Sequence, residues 1–445
     1  MKKLYLKLLL PALLLGVQAY GQSESGKWTL DDCIAYAKAN NISLQKARLE
    51  RLSAQEDVLQ SKSALLPSLD FSTSHNVSYS PWQDDGKSTV ANGYVESSVN
   101  KVYYNGSYSI GASWTVWNGG KNINTVKLNK LTEQQAALDS ATTAIGIEEQ
   151  IVQLYIQILY SAEAVEVNKE SLEASKKNEE RGKAMLEVGN MSKADVAQLT
   201  AQRAQDEYNI VSAESSLRNY KRQLKQLLEI TETEEFDVAI PAYTDEQAMA
   251  PIPDFADVYA AALNNRPEIK SNQLAIESSD LSIKIAKASR MPTIGLTASV
   301  GTNTTTMSET AWGSQLKTNF DAGAGVSFSL PLFDNRSAKT SINKAIISRQ
   351  TSMLELREIE KNLYSTIESY WLDAVTNQSM YVAAKASVES EQCSYDLLSE
   401  QFALGLKNIV ELMTGKVNLL TAQQNELQSK YLTIMNIKML ELYQR

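Results

Sequence analysis

The chain has 445 residues, a formal net charge of −9, one histidine and two cysteines. An acidic chain without a basic stripe is a poor phosphate binder, which argues against nucleic acid. One histidine and two cysteines leave little for a metal site or a disulfide framework, and no nucleophile–base–acid set, phosphate loop or zinc spacing occurs. Neither an enzyme nor a resident cofactor is expected.

Residues 1–21 read as a secretory signal. Lys2, Lys3 and Lys7 give the basic start, Leu8 to Val17 the apolar stretch, and Ala19-Tyr20-Gly21 before Gln22 a small-x-small cleavage site. Loss of three lysines makes the mature chain still more acidic. No cysteine directly follows the cleavage site, so no lipid anchor is expected, and no segment has the roughly 18 consecutive apolar residues of a spanning helix.

The first unit covers 22–230. A helix is predicted over about 29–66, stopped by Pro67. Strands at 67–80 and 101–118 follow, then a long helical hairpin over 121–229 that turns at Gly189. Residues 231–253, acidic and carrying Pro241, Pro251 and Pro253, read as a linker. The second unit, 254–445, repeats the plan with a helix, strands at 292–302 and 319–333, and a hairpin over 336–443.

The repetition rests on two constant offsets. One carries Pro67-Ser68-Leu69-Asp70-Phe71 onto Pro292-Thr293-Ile294-Gly295-Leu296, and Leu30, Asp32, Ala35, Asn40 and Lys62 onto Phe255, Asp257, Ala260, Asn265 and Lys287. A slightly shorter one carries Trp117-Asn118 onto Phe333-Asp334, Gly189 onto Gly405 and Asp195 onto Glu411. Two offsets, each held across several landmarks, indicate duplication.

Along the long helices, Ile151, Leu154, Ile158, Ala162 and Val165, and later Ile359, Leu363, Ile367, Tyr370 and Ala374, form narrow apolar seams. At about 1.5 Å per residue each long helix extends roughly 100 Å. The helix after the turn is too short to cover that length, and the opening helix supplies the remainder. Such rods form a wall.

The strands alternate. Leu69, Phe71, Val77 and Tyr79 share a face, as do Tyr108, Ile110, Ala112, Trp114 and Val116. Ile294, Leu296, Ala298 and Val300 repeat the pattern, then Phe320, Ala322, Ala324, Val326, Phe328, Leu330 and Leu332. Ser, Thr, Gly, Asp and Asn dominate the other faces. This is the pattern of a transmembrane barrel, with Tyr79, Tyr104, Trp114, Trp117 and Phe320 near segment ends, where aromatic girdles belong. Four strands leave two open edges, which cannot face lipid, and single-chain barrels need at least about eight strands. Several chains must share one barrel, and two or three copies both satisfy the count. The polar loops 80–100 and 302–318 suit the cell exterior, leaving the helices on the periplasmic side. The fold class expected is mostly α, a long helical periplasmic barrel joined to a membrane β-barrel closed by oligomerisation.

Helix–strand–strand–helix units in duplicate, Leu66-Pro67-Ser68-Leu69-Asp70 entering a strand and Leu330-Pro331-Leu332-Phe333-Asp334 leaving one, resemble the TolC-like outer-membrane efflux protein family. The hairpin turns, Leu186 through Val196 and Phe402 through Leu412, are similar to its periplasmic tip motif. The resemblance covers essentially the whole mature chain. It implies a homotrimer with a twelve-stranded barrel in outer-membrane lipid, continued by a helical tunnel that docks on a periplasmic adaptor and an inner-membrane pump. By the same resemblance, Val188, Gly189, Asn190, Leu404, Gly405 and Leu406 engage the adaptor, while Asp195, Lys407 and Glu411 form the constriction. Phe402 stands at the gate where the family pattern has a tyrosine, Thr414 where it has a second acid, and Asn190 where an apolar residue is common.

Plainer roles exist for several of these positions. Gly189 and Gly405 suit a left-handed helix end, and Asp195 and Glu411 suit the positive end of a helix dipole. His75 lies on the outward register of its strand without partner ligands, so no metal is expected there. Cys33 and Cys393 could bridge in an oxidising compartment or stand as small buried hydrophobes. The competing class is a soluble or periplasmic coiled-coil scaffold or adaptor without a channel, which has no need of four amphipathic strands.

Overall fold

The computed structural model describes residues 27–82, 86–90, 93–97, 101–231, 236–241 and 245–445. The secretory leader expected at 1–21 lies outside them, as do parts of the loop 80–100 and of the linker 231–253.

In chain order the elements are α1 (Leu30–Asn40), α2 (Ile42–Ser63), β1 (Ser68–Tyr79), β2 (Gly86–Val90), β3 (Gly93–Ser97), β4 (Val102–Asn118), α3 (Lys121–Glu187) and α4 (Lys193–Leu227). After α5 (Asp245–Ala248) come α6 (Phe255–Asn265), α7 (Pro267–Ala288), β5 (Thr293–Thr305), α8 (Trp312–Thr318), β6 (Asp321–Ser329), α9 (Ser337–Ala403) and α10 (Ile409–Gln444). No described helix is long and apolar enough to cross a membrane.

Three sequence expectations need correction. The opening helix predicted over 29–66 is two helices, broken at Asn41, which is extended at φ −61° and ψ 127°. Its Oδ1 accepts from the N–H groups of Ser43 at 2.9 Å and Leu44 at 3.3 Å, serving donors at the start of α2 that have no helical carbonyl. Its Nδ2 donates to the Leu227 carbonyl at 3.0 Å. The second half breaks at the matching residue, Arg266 at φ −62° and ψ 128°, because Pro267 holds its predecessor extended and then opens α7. The loop 80–100 carries the β2–β3 hairpin, and the loop 302–318 carries α8.

The chain forms two compact units: Met1–Lys46, Ala141–Arg266 and Glu360–Arg445 make one, Ala47–Ser140 and Pro267–Ile359 the other. The second contains a four-stranded antiparallel sheet in the order β1-β4-β5-β6. Its register sets Phe71 opposite Ile110, Ile110 opposite Val300, and Val300 opposite Ala322, so one face is apolar from strand to strand. On that face Leu69 is 76% exposed and Val326 74%. The other face carries a serine ladder, Ser68 to Ser113 at 2.8 Å, and Ser72 to Ser109 and Ser74 to Ser107 at 2.7 Å. A register shift between Thr115 and Trp117 sets Trp117 opposite Ile294, which returns its ring to the apolar face.

In the first unit the seam on α3 is wider than its spacing suggests. Ile151, Val152, Tyr155, Ile156, Ile158 and Leu159 are all buried, whereas Leu154 and Ala162 are only partly so. Neighbouring segments cover this stretch from more than one side: Tyr155 Oη donates to the Ala239 carbonyl at 2.5 Å. On α9 the narrow seam holds, with Leu363, Ile367 and Ala374 buried and Ile359 and Tyr370 partly so.

Both thiols are free, Cys33 buried and Cys393 exposed on α9. Cys33 is the small buried hydrophobe, and Cys393 is not. Burial, and then the charge of Asp32, pushes the Cys33 thiol up to about 12. Alkylation of the native chain near neutral pH is expected to spare Cys33, and denaturation to expose it, as peptide mass spectrometry would show. Equal labelling of Cys33 before and after denaturation would contradict this packing.

Candidate functional site

Each long hairpin reverses through the same sequence of caps. At the first turn Gly189 adopts φ 77°, its N–H reaches the Leu186 carbonyl at 3.0 Å, and the Asn190 N–H reaches Met185 at 2.8 Å. At the second, Gly405 adopts φ 74°, bonding Phe402 at 3.0 Å, with Leu406 bonding Gln401 at 2.9 Å. This pairing of bonds ends a helix only when the residue between can be left-handed, which is why glycine stands there. Val188, Leu404 and Leu406 then project as exposed apolar groups, with Asn190 exposed beside them.

The helices leaving the turns restart with reciprocal caps. Ser192 Oγ accepts from the Asp195 N–H at 3.1 Å and donates to Asp195 Oδ2 at 2.8 Å. Asn408 Oδ1 accepts from the Glu411 N–H at 2.9 Å, and Glu411 Oε2 accepts from the Asn408 N–H at 3.3 Å. Glu411 Oε1 also takes Lys407 Nζ at 2.6 Å, and that ammonium, followed by the Asn408 N–H, holds the carboxyl below the usual glutamate range. Lys407 and Glu411 are thus brought together, while Asp195 makes its bonds within its own turn.

Phe402, expected at the gate, is enclosed between helices. Only 1% exposed, its ring lies in a core of Leu199, Tyr395, Ile409, Leu412 and Leu419, flanked by Met185, Met191 and Met413. Without a hydroxyl it contributes packing between the hairpins.

Polar links that the sequence does not announce cross between the same hairpins. Asp206 on α4, 1% exposed, accepts from Ser175 Oγ on α3 at 2.5 Å and from Gln202 Nε2 at 3.1 Å. The ammonium of Lys416 on α10, itself buried, bonds both Asp206 Oδ2 and Ser175 Oγ. Asn178 Nδ2 donates to Tyr395 Oη at 3.0 Å, and Arg181 Nη1 to the Ser399 carbonyl at 3.3 Å. The only advance signal was the apolar run Leu412, Met413, Leu419 and Leu420 around Lys416, and that is weak.

In the sheet unit, Tyr79, Trp114, Trp117 and Phe320 are exposed and Tyr104 is partly so. The Trp114 indole donates to the Leu65 carbonyl at 2.9 Å. His75 is occupied within the sheet by the Tyr104 hydroxyl and by Thr73 Oγ1 at 3.1 Å. Among the described residues no group of three His, Cys, Asp or Glu side chains is arranged to hold a metal.

Long hairpins closed by capped glycine turns, with a sheet exposing one apolar face, define a channel subunit of the bacterial outer membrane. The chain belongs to the outer membrane efflux protein family, which matches residues 33–229 and 258–441. It is 23% identical to the outer membrane protein TolC of Escherichia coli (strain K12) over 447 aligned residues, 98% of this chain and 85% of that one. To the outer membrane efflux protein BepC of Brucella suis it is 21% identical, covering 94% of this chain and 85% of that one. Among solved structures, the Campylobacter jejuni CmeC outer membrane channel superposes with a TM-score of 0.77 at 18% identity, covering 93% of this chain and 85% of that one. The Vibrio cholerae outer membrane protein VceC gives 0.75 at 17%, covering 93% and 96%. Of these, BepC is named an efflux protein and CmeC a channel.

Proposed function

We propose that three copies of this chain close a twelve-stranded barrel in outer-membrane lipid, and that their hairpins line a duct carrying solutes outward from a periplasmic adaptor and an inner-membrane pump. The observation that carries this reading is the sheet: among the described residues β1 and β6 each have one unpaired edge, beside an exposed apolar face. Such edges are costly in hydrocarbon, and strands of neighbouring copies remove them. The efflux relatives support the same direction of transport. No catalytic step is assigned.

On this reading the turns Val188-Gly189-Asn190 and Leu404-Gly405-Leu406 meet the adaptor through their exposed apolar side chains. Asp195 and Glu411, repeated around the axis, form an acidic constriction that retards anions and binds multivalent cations. Phe402 holds the hairpins behind it.

Planar-bilayer recording of the purified chain tests both levels. The expected result is a conducting oligomer whose cation preference and block by divalent cations weaken in Asp195→Asn with Glu411→Gln. Because Lys407 depresses the Glu411 pKa, its negative charge persists through the ordinary glutamate range and is lost only as pH falls through the lowered value. Unchanged selectivity would remove the constriction assignment. A water-soluble monomer that never enters bilayers would remove the duct itself.

A further inference from the structure

The loop between β5 and β6 does not stand free of the sheet. Thr302 Oγ1 donates to the Leu316 carbonyl at 2.8 Å, and Asn319 Nδ2 to the Asn303 carbonyl at 2.8 Å. Gln315, 5% exposed, accepts from the Thr305 N–H at 2.7 Å and donates to the carbonyls of Thr305 at 3.0 Å and Thr310 at 2.6 Å. Trp312 meets Tyr108 edge to face at 6.4 Å. These bonds lay α8 against one particular side of the sheet. Thr302 and Tyr108 are partners in register, and two residues along each strand are Val300 and Ile110, which belong to the exposed apolar face. The helix therefore covers the end of the apolar face, away from the serine ladder.

The chemistry of that face changes where α8 begins. Along β5, Leu296, Ala298 and Val300 give way to Thr302 and Thr304; along β4, Trp114, Ala112 and Ile110 give way to Tyr108, Gly106 and Tyr104. On β6 the apolar run starts at Ala322, opposite Val300, and on β1 Leu69 and Phe71 give way to Thr73 and His75 before Val77 and Tyr79. The boundary runs through the register partners Phe71, Ile110, Val300 and Ala322. Beside it Met307, Trp312 and Phe320 remain 50%, 56% and 62% exposed, next to the charged Lys317 and Glu309. An amphipathic indole with apolar neighbours, set between an apolar band and charges, is the composition that settles at a bilayer interface.

We infer that α8 is an outer-leaflet anchor, lying on the lipid side of the barrel with Met307, Trp312 and Phe320 seated between the acyl chains and headgroups of outer-leaflet amphiphiles. This assignment rests on the membrane reading above, and it gives one extracellular loop a lipid-binding role in place of a role at the channel mouth. The occupant is a lipid because the exposed apolar face ends at α8, and Met307, Trp312 and Phe320 stay exposed beside that end.

The test is site-directed spin labelling of the full chain in vesicles of phosphatidylethanolamine and phosphatidylglycerol, in a Cys393→Ser background, with labels at Val326→Cys, Trp312→Cys and Glu309→Cys. Oxygen and a water-soluble nickel chelate report depth. The expected order of chelate accessibility is Glu309 highest, Trp312 several-fold lower and Val326 lowest, with Trp312 also gaining oxygen accessibility. A Trp312 label as open to the chelate as the Glu309 label, with the Val326 label still in the acyl region, overturns the anchor alone. A Val326 label open to water overturns the membrane reading and the anchor together.

Discussion

Replacing Lys416 with methionine is expected to destabilise the chain by about 3–5 kcal/mol, the cost typical of removing one partner from a buried ion pair. Asp206 would keep its bonds from Ser175 and Gln202 but lose its only buried cation among the described residues. Asp206→Leu with Lys416→Met should recover most of the loss, because well-packed apolar groups can replace both desolvated charges. Unfolding in detergent, followed by circular dichroism against denaturant, measures both variants. A single variant as mild as the double would mean that the carboxylate finds water or another donor. The pH dependence has a definite sign. Burial holds the Lys416 pKa below its ordinary 10.5, with Asp206 opposing. Between the lowered folded value and the ordinary one the unfolded chain binds more protons, so this site makes stability rise with pH in that window. Lys416→Met should flatten that rise.

This pair also marks where sequence reading ran out. The turns were legible because a capped reversal leaves few choices: glycine where φ is positive, then an N-cap residue and an acid three positions on. Strand alternation was legible for a similar reason, since one exposed apolar face fixes every second residue across β1, β4, β5 and β6. The break at Asn41 was missed because an asparagine cap replaces only a few backbone bonds and leaves the apolar period intact. Pro267, at the matching place in the second half, was the visible sign of it. On α3 the spacing showed one seam, but burial depends on how many segments cover the helix, and Tyr155 meets the segment around Ala239 far along the chain. Phe402 lacks the hydroxyl of the aligned tyrosine, and its ring gains by burial in the core, which the gate motif alone did not announce. Lys416 and Asp206 are 210 residues apart, and nothing local says that two charges will be buried against one another.

Exchanging a glycine and a leucine across the first hairpin should be far less damaging than changing the glycine alone. A Cβ added at Gly182 on α3 would meet Leu199 Cδ1 on α4 at 2.4 Å and Met191 Sδ at 3.2 Å, so leucine there overpacks the contact. The offset that carries Gly189 onto Gly405 carries Gly182 onto Leu398 and Leu199 onto Gly415. In the second hairpin the knob is on the long helix and the hole on the short one: a Cβ at Gly415 would meet Leu398 Cδ1 at 2.7 Å. The two halves fill an equivalent space from opposite sides, which implies that the volume is constrained and the side it comes from is not. Gly182→Leu alone is expected to cost about 1–3 kcal/mol, even after the gain in helix propensity. Leu199→Gly alone should cost at least about 2–5 kcal/mol through the cavity, with roughly 1 kcal/mol more from glycine within a helix. The double variant should regain most of the sum, giving a large favourable coupling in a double-mutant cycle on unfolding free energy. Strict additivity would mean that the reversed leucine and glycine are unrelated accidents of each hairpin.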